Sequence, residues 1–372
     1  MNETNAKIIA FMNSYTQGKS GGDMVFIEFA KKIKNYNFLI ITSLLGKNLC
    51  QNNGVEAEYF ITSSELKINN LIYIYLKRLL KALFLRISIK EKDIILSTSD
   101  FLPDVLPAVF LKIIHRKNKW IQNIFHLISK SRKIPYISQK ISFFFIKKFA
   151  DLIIVDNNLL KESLVKKNFS ERKLYVIYPG INFKYLKSIK NLNNNNYDCI
   201  FMAQLRISKG IFDLIDIWKQ VLNFGNFKLA IIGSGNANII NQIKQKVNKL
   251  NISKYIDFLG YVEDEKAYSF IKSSKVFLFP SREEGFGIAA LQAQALGLPI
   301  VAWDLPVFDE IFTEGMIKIK RNELKIFSKE VLKLLKDETY YDVIAKAAFH
   351  NASKYDLDIM LKKEMDIFKN IN

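Results

Sequence analysis

Short apolar runs alternate with longer amphipathic segments along nearly the whole chain. The runs Ile8–Met12, Phe38–Thr42, Asp93–Ser97, Trp120–Phe125, Leu152–Val155 and Tyr175–Ile177 read as strands, rich in β-branched residues and buried on both faces. Between them, apolar residues recur at helical spacing in Met24–Ile33, Leu66–Ile87, Pro103–Ile114 and Leu159–Lys167. A strand–helix–strand rhythm of this kind predicts a parallel sheet with helices on both faces. The rhythm breaks at residues 191–198, NLNNNNYD, which carry no periodicity and read as a linker. It then restarts: strand Cys199–Ala203, helix Ile211–Leu222, strand Lys228–Ile232, helix Ile239–Leu250, strands Ile256–Leu259 and Val276–Phe279, a helix opening near Gly287, and strand Ile300–Ala302. The expected organisation is α/β throughout: a first Rossmann-like domain over 1–190, a second over 199–352, and a terminal helix, 353–372, packing back onto the first. No repeat of solenoid length is present.

Composition refines this picture modestly. A chain of 372 residues is long for one hydrophobic core, and 49% apolar with 24% charged residues is ordinary for a folded protein. Cys50 and Cys199 lie far apart, and three histidines show no paired spacing, so neither a disulfide framework nor a structural metal site is expected. Met1–Met12 lacks a basic segment followed by a long apolar one, and no apolar run reaches the roughly 18 residues of a membrane span, so a cytoplasmic location is expected.

Charge adds more. The formal net charge is +19, and residues 66–148 alone hold 17 Lys+Arg against 4 Asp+Glu. Nucleic acid is not the expected partner, because basic residues are not interleaved with aromatics on a strand platform. The stretch Leu66–Lys90 mixes bulky apolar residues with Lys77, Arg78, Lys81, Arg86 and Lys90. It reads either as a core-packed helix with a wet basic edge or as an interfacial helix docking on anionic lipid. ISFFFIKK, residues 141–148, can serve the same face.

The segment Phe279–Asp304, FPSREEGFGIAALQAQALGLPIVAWD, carries the clearest chemistry. A strand ends at Phe279, and the loop after it presents Ser281, Arg282, Glu283 and Glu284. Gly285 and Gly287 flank Phe286 and open a helix, whose first-turn N–H groups can hold a phosphate oxygen. Glu284 sits where ligands bind in open α/β sheets, beyond the carboxyl ends of strands, and can accept hydrogen bonds from sugar hydroxyls. Gln292 is about two helical turns further on and can face the same crevice. Asp309 and Glu310 follow Pro306 at the start of a short helix, where capping is their simplest role.

This segment resembles the signature of the retaining GT-B glycosyltransferases of family 4: a Glu, then Gly-Phe-Gly, a second position that is usually acidic, and a Gly-x-Pro strand. Further pieces fall in the family's order. Ala203–Trp218, AQLRISKGIFDLIDIW, resembles the element that grips the donor diphosphate; Leu229–Asn236, LAIIGSGN, the next strand and glycine turn; and Ile256–Ser281, with Tyr261, the base-binding loop and the strand before the signature. Lys19–Ile33, KSGGDMVFIEFAKKI, resembles the glycine loop facing the donor, and Lys119–Ile128 the strand whose terminal His meets the transferred sugar.

The resemblance implies two Rossmann-like domains facing across a cleft and a metal-independent transfer of a hexose from a UDP- or GDP-sugar to a glycan. With the basic apolar stretches, it implies a lipid-linked acceptor at the inner face of the cytoplasmic membrane. It makes Glu284, Lys209 and His126 the catalytic candidates. Gly21, Gly22, Gln204, Arg206, Tyr261, Gly285, Phe286, Gly287 and Gln292 are the donor-binding ones. Lys209 and Arg206 suit charge developing on a leaving diphosphate, Gly21 and Gly22 can offer backbone N–H groups to it, and His126 can hydrogen-bond the sugar or relay a proton. Two positions depart from the family: Gln204 stands where it usually has Arg, and Gln292 where it has the second acid. Those two leave open an inactive sugar-binding or scaffold subunit on the same fold.

Overall fold

The chain divides into two units, residues 1–178 with 361–372, and residues 179–360. The computed structural model describes residues 6–16, 21–65, 70–130, 133–191 and 197–370. Residues 192–196 of the Asn-rich stretch and 66–69 of the Leu66–Ile87 segment lie outside the described residues.

In the first unit, strands β1 (Lys7–Met12), β2 (Asn37–Thr42), β3 (Glu58–Ile61), β4 (Ile94–Ser97), β5 (Lys119–Ile124), β6 (Leu152–Val155) and β7 (Leu174–Val176) form a parallel sheet. Its order is β3-β2-β1-β4-β5-β6-β7, so the winding reverses between β1 and β4. Ile8 to Met12 in β1 are buried because helices cover both faces of the strand, which is why a continuous apolar run marks it. Phe11, Ile41, Trp120 and Ile153 belong to the core beneath helices 71–83, 102–114 and 133–149. The middle helix of these three packs against both others. The terminal helix, Leu357–Asn370, delivers its last turns to this unit, where the ring of Phe368 lies 4.9 Å from Phe29 and 6.4 Å from Tyr36.

The second unit repeats the plan with β8 (Cys199–Met202), β9 (Leu229–Ile232), β10 (Ile256–Gly260), β11 (Val276–Phe279), β12 (Ile300–Trp303) and β13 (Met316–Ile319). All pairings are parallel and the order is β10-β9-β8-β11-β12-β13, reversing between β8 and β11. Helix Ile211–Val221 buries Ile211, Leu214, Ile215 and Trp218, spaced three and four apart, against this sheet. Trp303 and Phe327 meet edge to face at 4.9 Å in the same core.

Three sequence expectations need correction. Arg78 is no part of a solvent or lipid face: it is 0% exposed, because the helix described over Leu71–Leu83 turns Ile74, Arg78 and Ala82 inward at a spacing of four. Of the three phenylalanines in ISFFFIKK, Phe143 is buried and Phe145 half-buried, leaving Phe144 exposed. Asp309 does not cap its helix, which starts from Leu305 without a side-chain cap; its carboxylate pairs with Lys318 at 2.7 Å.

Candidate active site

In the second unit the loops after β8 and β11 lie side by side where the winding reverses, the usual ligand position in an open α/β sheet. They are joined by backbone contact. Gly210, at φ +70, ends the short turn Ile207–Lys209, and a Cβ there would fall 1.7 Å from the carbonyl oxygen of Pro280. The Arg282 N–H donates to the carbonyl of Ser208 at 2.8 Å. The loop after β9 is fitted to the first in the same way: a Cβ on Gly233, φ +144, would fall 1.9 Å from the Ala203 oxygen.

This junction brings Lys209 and Glu284 together across 75 positions of sequence. The Lys209 ammonium donates to Glu284 Oε1 at 2.6 Å, and Ser281 Oγ donates to the same oxygen at 2.5 Å. Glu284 is 9% exposed and Lys209 29%, so the carboxylate is held while the cation reaches toward solvent. Beneath them, Arg282 makes a two-pronged pair with Asp213, Nε to Oδ2 at 2.8 Å and Nη2 to Oδ1 at 2.5 Å, and Trp303 Nε1 donates to Oδ2 at 3.0 Å. Hydrogen bonding to Asp213 raises the Arg282 pKa further, keeping a fixed positive charge under the loop. The pairing of Arg282 with Asp213 was not an expectation of the sequence. Its signal is there: Asp213 is an acid among the buried positions of helix 211–221, where an unpaired charge would be costly.

The other donor-side candidates are placed as follows. Gln204 is half-buried and Arg206 exposed on the loop after β8. Gly285 is half-buried; Gly287, at φ +96, caps helix Ile288–Ala295 in a conformation that favours glycine. The Phe286 side chain is spent on packing, 4% exposed with its ring 5.7 Å from Tyr355. Gln292 Nε2 donates to the Tyr268 hydroxyl at 3.0 Å, and Tyr261 is 66% exposed beyond β10.

In the first unit, Gly21 and Gly22 open the helix Gly21–Lys32 that follows β1. Gly22 is needed for close approach: a Cβ there would lie 2.8 Å from the ring of Phe125. That contact brings the glycine pair to the loop bearing His126, which is exposed beyond β5. Behind them lies a buried polar network that the sequence reading does not contain. Asp104 accepts from the backbone N–H groups of Asn13 (2.5 Å) and Ser14 (2.9 Å) and from the hydroxyls of Ser14 (2.7 Å) and Ser99 (2.5 Å). Arg78 grips the same loop from its acceptor side, donating to the carbonyls of Asn13 (3.1 Å) and Tyr15 (2.5 Å), while its Nε reaches Ser63 Oγ at 2.9 Å. Burial pushes the Asp104 carboxyl up to about 7 against the pull of its four donors, and burial lowers Arg78. Asp104 fixes the loop after β1 to Ser99 in the loop after β4, at this sheet's own reversal point, and Arg78 ties the loop after β1 to Ser63 beyond β3.

Among the described residues, no group of three His, Cys, Asp or Glu is gathered as a metal site requires, and no helix is long and apolar enough to cross a membrane.

Residues 183–351 match the family described as Glycosyl transferases group 1. An uncharacterized glycosyltransferase of Methanocaldococcus jannaschii is 28% identical over 239 residues, 59% of this chain and 59% of that protein. The capsular polysaccharide biosynthesis glycosyltransferase CapM of Staphylococcus aureus is 26% identical, over 59% of this chain and 60% of its own length. The chain thus spans about three fifths of the length of these two relatives. Among solved structures, HepE of Anabaena in complex with UDP and glucose superposes with a TM-score of 0.80 at 16% identity, covering 98% of this chain and 100% of that one. The structural likeness shows the GT-B fold, with its two Rossmann-like units. The family match and the named relatives support a glycosyltransferase.

Proposed function

We propose that this chain is a retaining glycosyltransferase of polysaccharide or capsule biosynthesis, moving a hexose from a UDP- or GDP-sugar to a glycan acceptor that is lipid-linked at a membrane surface. The observation that carries the reading is the Lys209–Glu284 pair at the reversal point of the second sheet. A leaving diphosphate gains negative charge as the glycosidic bond breaks, and a cation already oriented by a carboxylate meets that charge without reorganising. Glu284 keeps a second oxygen for sugar hydroxyls, and the helix opened by Gly287 adds backbone donors. UDP and glucose in HepE, and capsule synthesis for CapM, support the donor class and the pathway. On this reading His126, Gly21 and Gly22 serve the transferred sugar and its phosphates, and Arg206, Gln204, Gln292 and Tyr261 the nucleotide. No metal takes part, the cationic role falling to side chains.

The membrane half of the reading rests on a face of the first unit. Leu76, Leu80 and Phe84 (54%, 55% and 81% exposed) project beside the exposed Lys77 and Lys81. Ile134, Ile137, Ile141 and Phe144 make a second exposed stripe on helix 133–149, beside Lys140, Lys147 and Lys148. Phe110, Ile113 and Ile114 extend it along the helix between them. An apolar surface of this extent, edged by lysine, fits an anionic bilayer.

The test is donor-only turnover: the protein is incubated with a panel of UDP- and GDP-sugars and released nucleoside diphosphate is measured. Release from one donor, reduced about 10²–10³-fold in Lys209→Ala without loss of fold, is expected. If no sugar nucleotide is hydrolysed and none shifts the melting temperature, the enzyme reading fails. The scaffold alternative allowed by Gln204 and Gln292 then takes its place.

A further inference from the structure

The second unit holds a buried amide network that the proposed chemistry does not use. Asn351, in the last turn of helix Glu338–Ser353, is fully buried and its side chain is fully committed. Nδ2 donates to Gln294 Oε1 at 2.8 Å and to the carbonyl of Ile311 at 3.1 Å, and Oδ1 accepts from Thr313 Oγ1 at 3.1 Å. Gln294 is buried as well, near the end of helix Ile288–Ala295, and its Nε2 donates to the carbonyl of Glu314 at 3.0 Å. The Tyr355 hydroxyl donates to the same Ile311 carbonyl at 3.1 Å, while its ring meets Phe286 edge to face.

Helix Ile288–Ala295 follows directly on the loop bearing Glu284, and at 8 residues it has little stability of its own. Its place is set by what holds its ends. Gln294 holds the last turn. The first turn is seated on rings: a Cβ on Gly287 would lie 3.1 Å from Phe312 and 3.4 Å from Phe308. Those rings lie on and just after helix Pro306–Ile311, whose final carbonyl is the one that Asn351 and Tyr355 share. One side chain thus reaches both ends of the helix. An apolar residue could fill the same volume without the cost of burying an amide, so the directed bonds are what distinguish asparagine there. Resting on the reading above, we propose that Asn351 is a positioning residue for the donor site. It fixes helix Ile288–Ala295 at both ends, and so holds Glu284 and the N–H groups after Gly287 in place for a nucleoside diphosphate sugar it does not touch.

The experiment reads the tether first without ligand, by hydrogen exchange and mass spectrometry on the full chain. Asn351→Leu should speed exchange in residues 288–296 about tenfold or more while β8 and β9 stay protected. Tyr355→Phe loses one hydroxyl and keeps its ring, and should do the same by about threefold. Val331→Ala, a buried change on helix Leu324–Lys336 outside this network, is the destabilised control. In donor turnover, Asn351→Leu should lower kcat/KM about tenfold, mainly through the KM for the sugar nucleotide, and Val331→Ala should leave that KM alone. Unchanged exchange in residues 288–296 overturns the proposal, and Tyr355→Phe decides it if Asn351→Leu does not fold. So does faster exchange spread evenly through the unit, or a KM that Val331→Ala raises equally, since a merely structural amide would give either. Selective loosening in a protein that neither binds nor turns over any sugar nucleotide keeps the tether and sinks the transferase reading instead.

Discussion

Gly210→Ala should disable the second unit's site by moving two loops apart. At φ +70 an alanine is strained by about 1–2 kcal/mol. The larger effect is steric. The new Cβ would fall 1.7 Å from the Pro280 oxygen, where a non-bonded carbon and oxygen stand roughly 3.3 Å apart, so the segments must separate by about 1.5 Å. Lys209 precedes the substituted residue and Ser281 follows Pro280, so the separation falls on the 2.6 Å contact between Lys209 and Glu284. Misplacing a catalytic group by about 1 Å costs on the order of 10²-fold in rate. Gly297→Ala supplies the control: its φ is +90, but nothing lies within 4 Å of the added Cβ, so it bears the strain without the collision. Nucleoside diphosphate release and thermal melting are measured on both variants. Gly210→Ala should lose about 10²-fold in turnover, whereas Gly297→Ala should melt earlier and turn over normally. If both variants keep wild-type turnover, the loops are not held by this contact and the argument from Gly210 is wrong.

Glu364 is buried and its carboxyl is pushed up to about 8 by burial alone, so the folded state keeps a proton that the unfolded state loses above its ordinary 4.5. Stability should therefore fall as pH rises from 4.5 toward 8 and level off beyond. Glu364→Gln should remove that slope and gain about 3 kcal/mol at pH 7, read by denaturant melts at pH 5 and pH 8. Asp213→Asn should destabilise by about 2 kcal/mol, below the range for fully buried pairs because Arg282 is 32% exposed, and should lower turnover; an unchanged melting curve would count against the anchoring role. Co-sedimentation should retain the protein on phosphatidylglycerol vesicles and not on phosphatidylcholine. The triple change Leu76→Ser, Leu80→Ser, Phe84→Ser should weaken retention by more than about tenfold. Turnover in EDTA should equal turnover with added magnesium, and dependence on the metal would move the cationic role away from Lys209.

The central strands were legible because a strand covered on both faces must be apolar throughout, as in Ile8–Met12 and Val276–Phe279. Of the edge strands, β7 and β10 were legible and β3 and β13 were not. EYFI at Glu58–Ile61 and MIKI at Met316–Ile319 each pair on one side and are partly exposed, so no continuous run marks them. Helix 133–149 shows only as its apolar second half, since Gln139 and Ser142 occupy inward positions that a hydrophobicity pattern scores as polar. The same effect hid the site's supports. Glu284 and Lys209 stand out by motif, but Asp104, Arg78 and Asp213 are charged residues in the interior. Their reason for being there lies 69 to 91 positions away for Arg282 and Asn13, and 63 for Tyr15.

The fit of glycine against backbone in the second unit divides what can vary from what cannot. Gly210, Gly233 and Gly235 each have a carbonyl oxygen as the nearest neighbour of an added Cβ, those of Pro280, Ala203 and Leu205. The frame of the site thus rests chiefly on backbone atoms, with the side chains of Leu205 and Pro280 beside them. Gln204 and Arg206, on the loop after β8, and Tyr261, beyond β10, are half-buried or exposed and can be exchanged without disturbing the frame. On the proposed reading of these side chains as nucleotide contacts, ligand preference can be retooled one side chain at a time, leaving the Lys209–Glu284 pair in register, and laboratory selection for a new nucleotide should begin at those three positions.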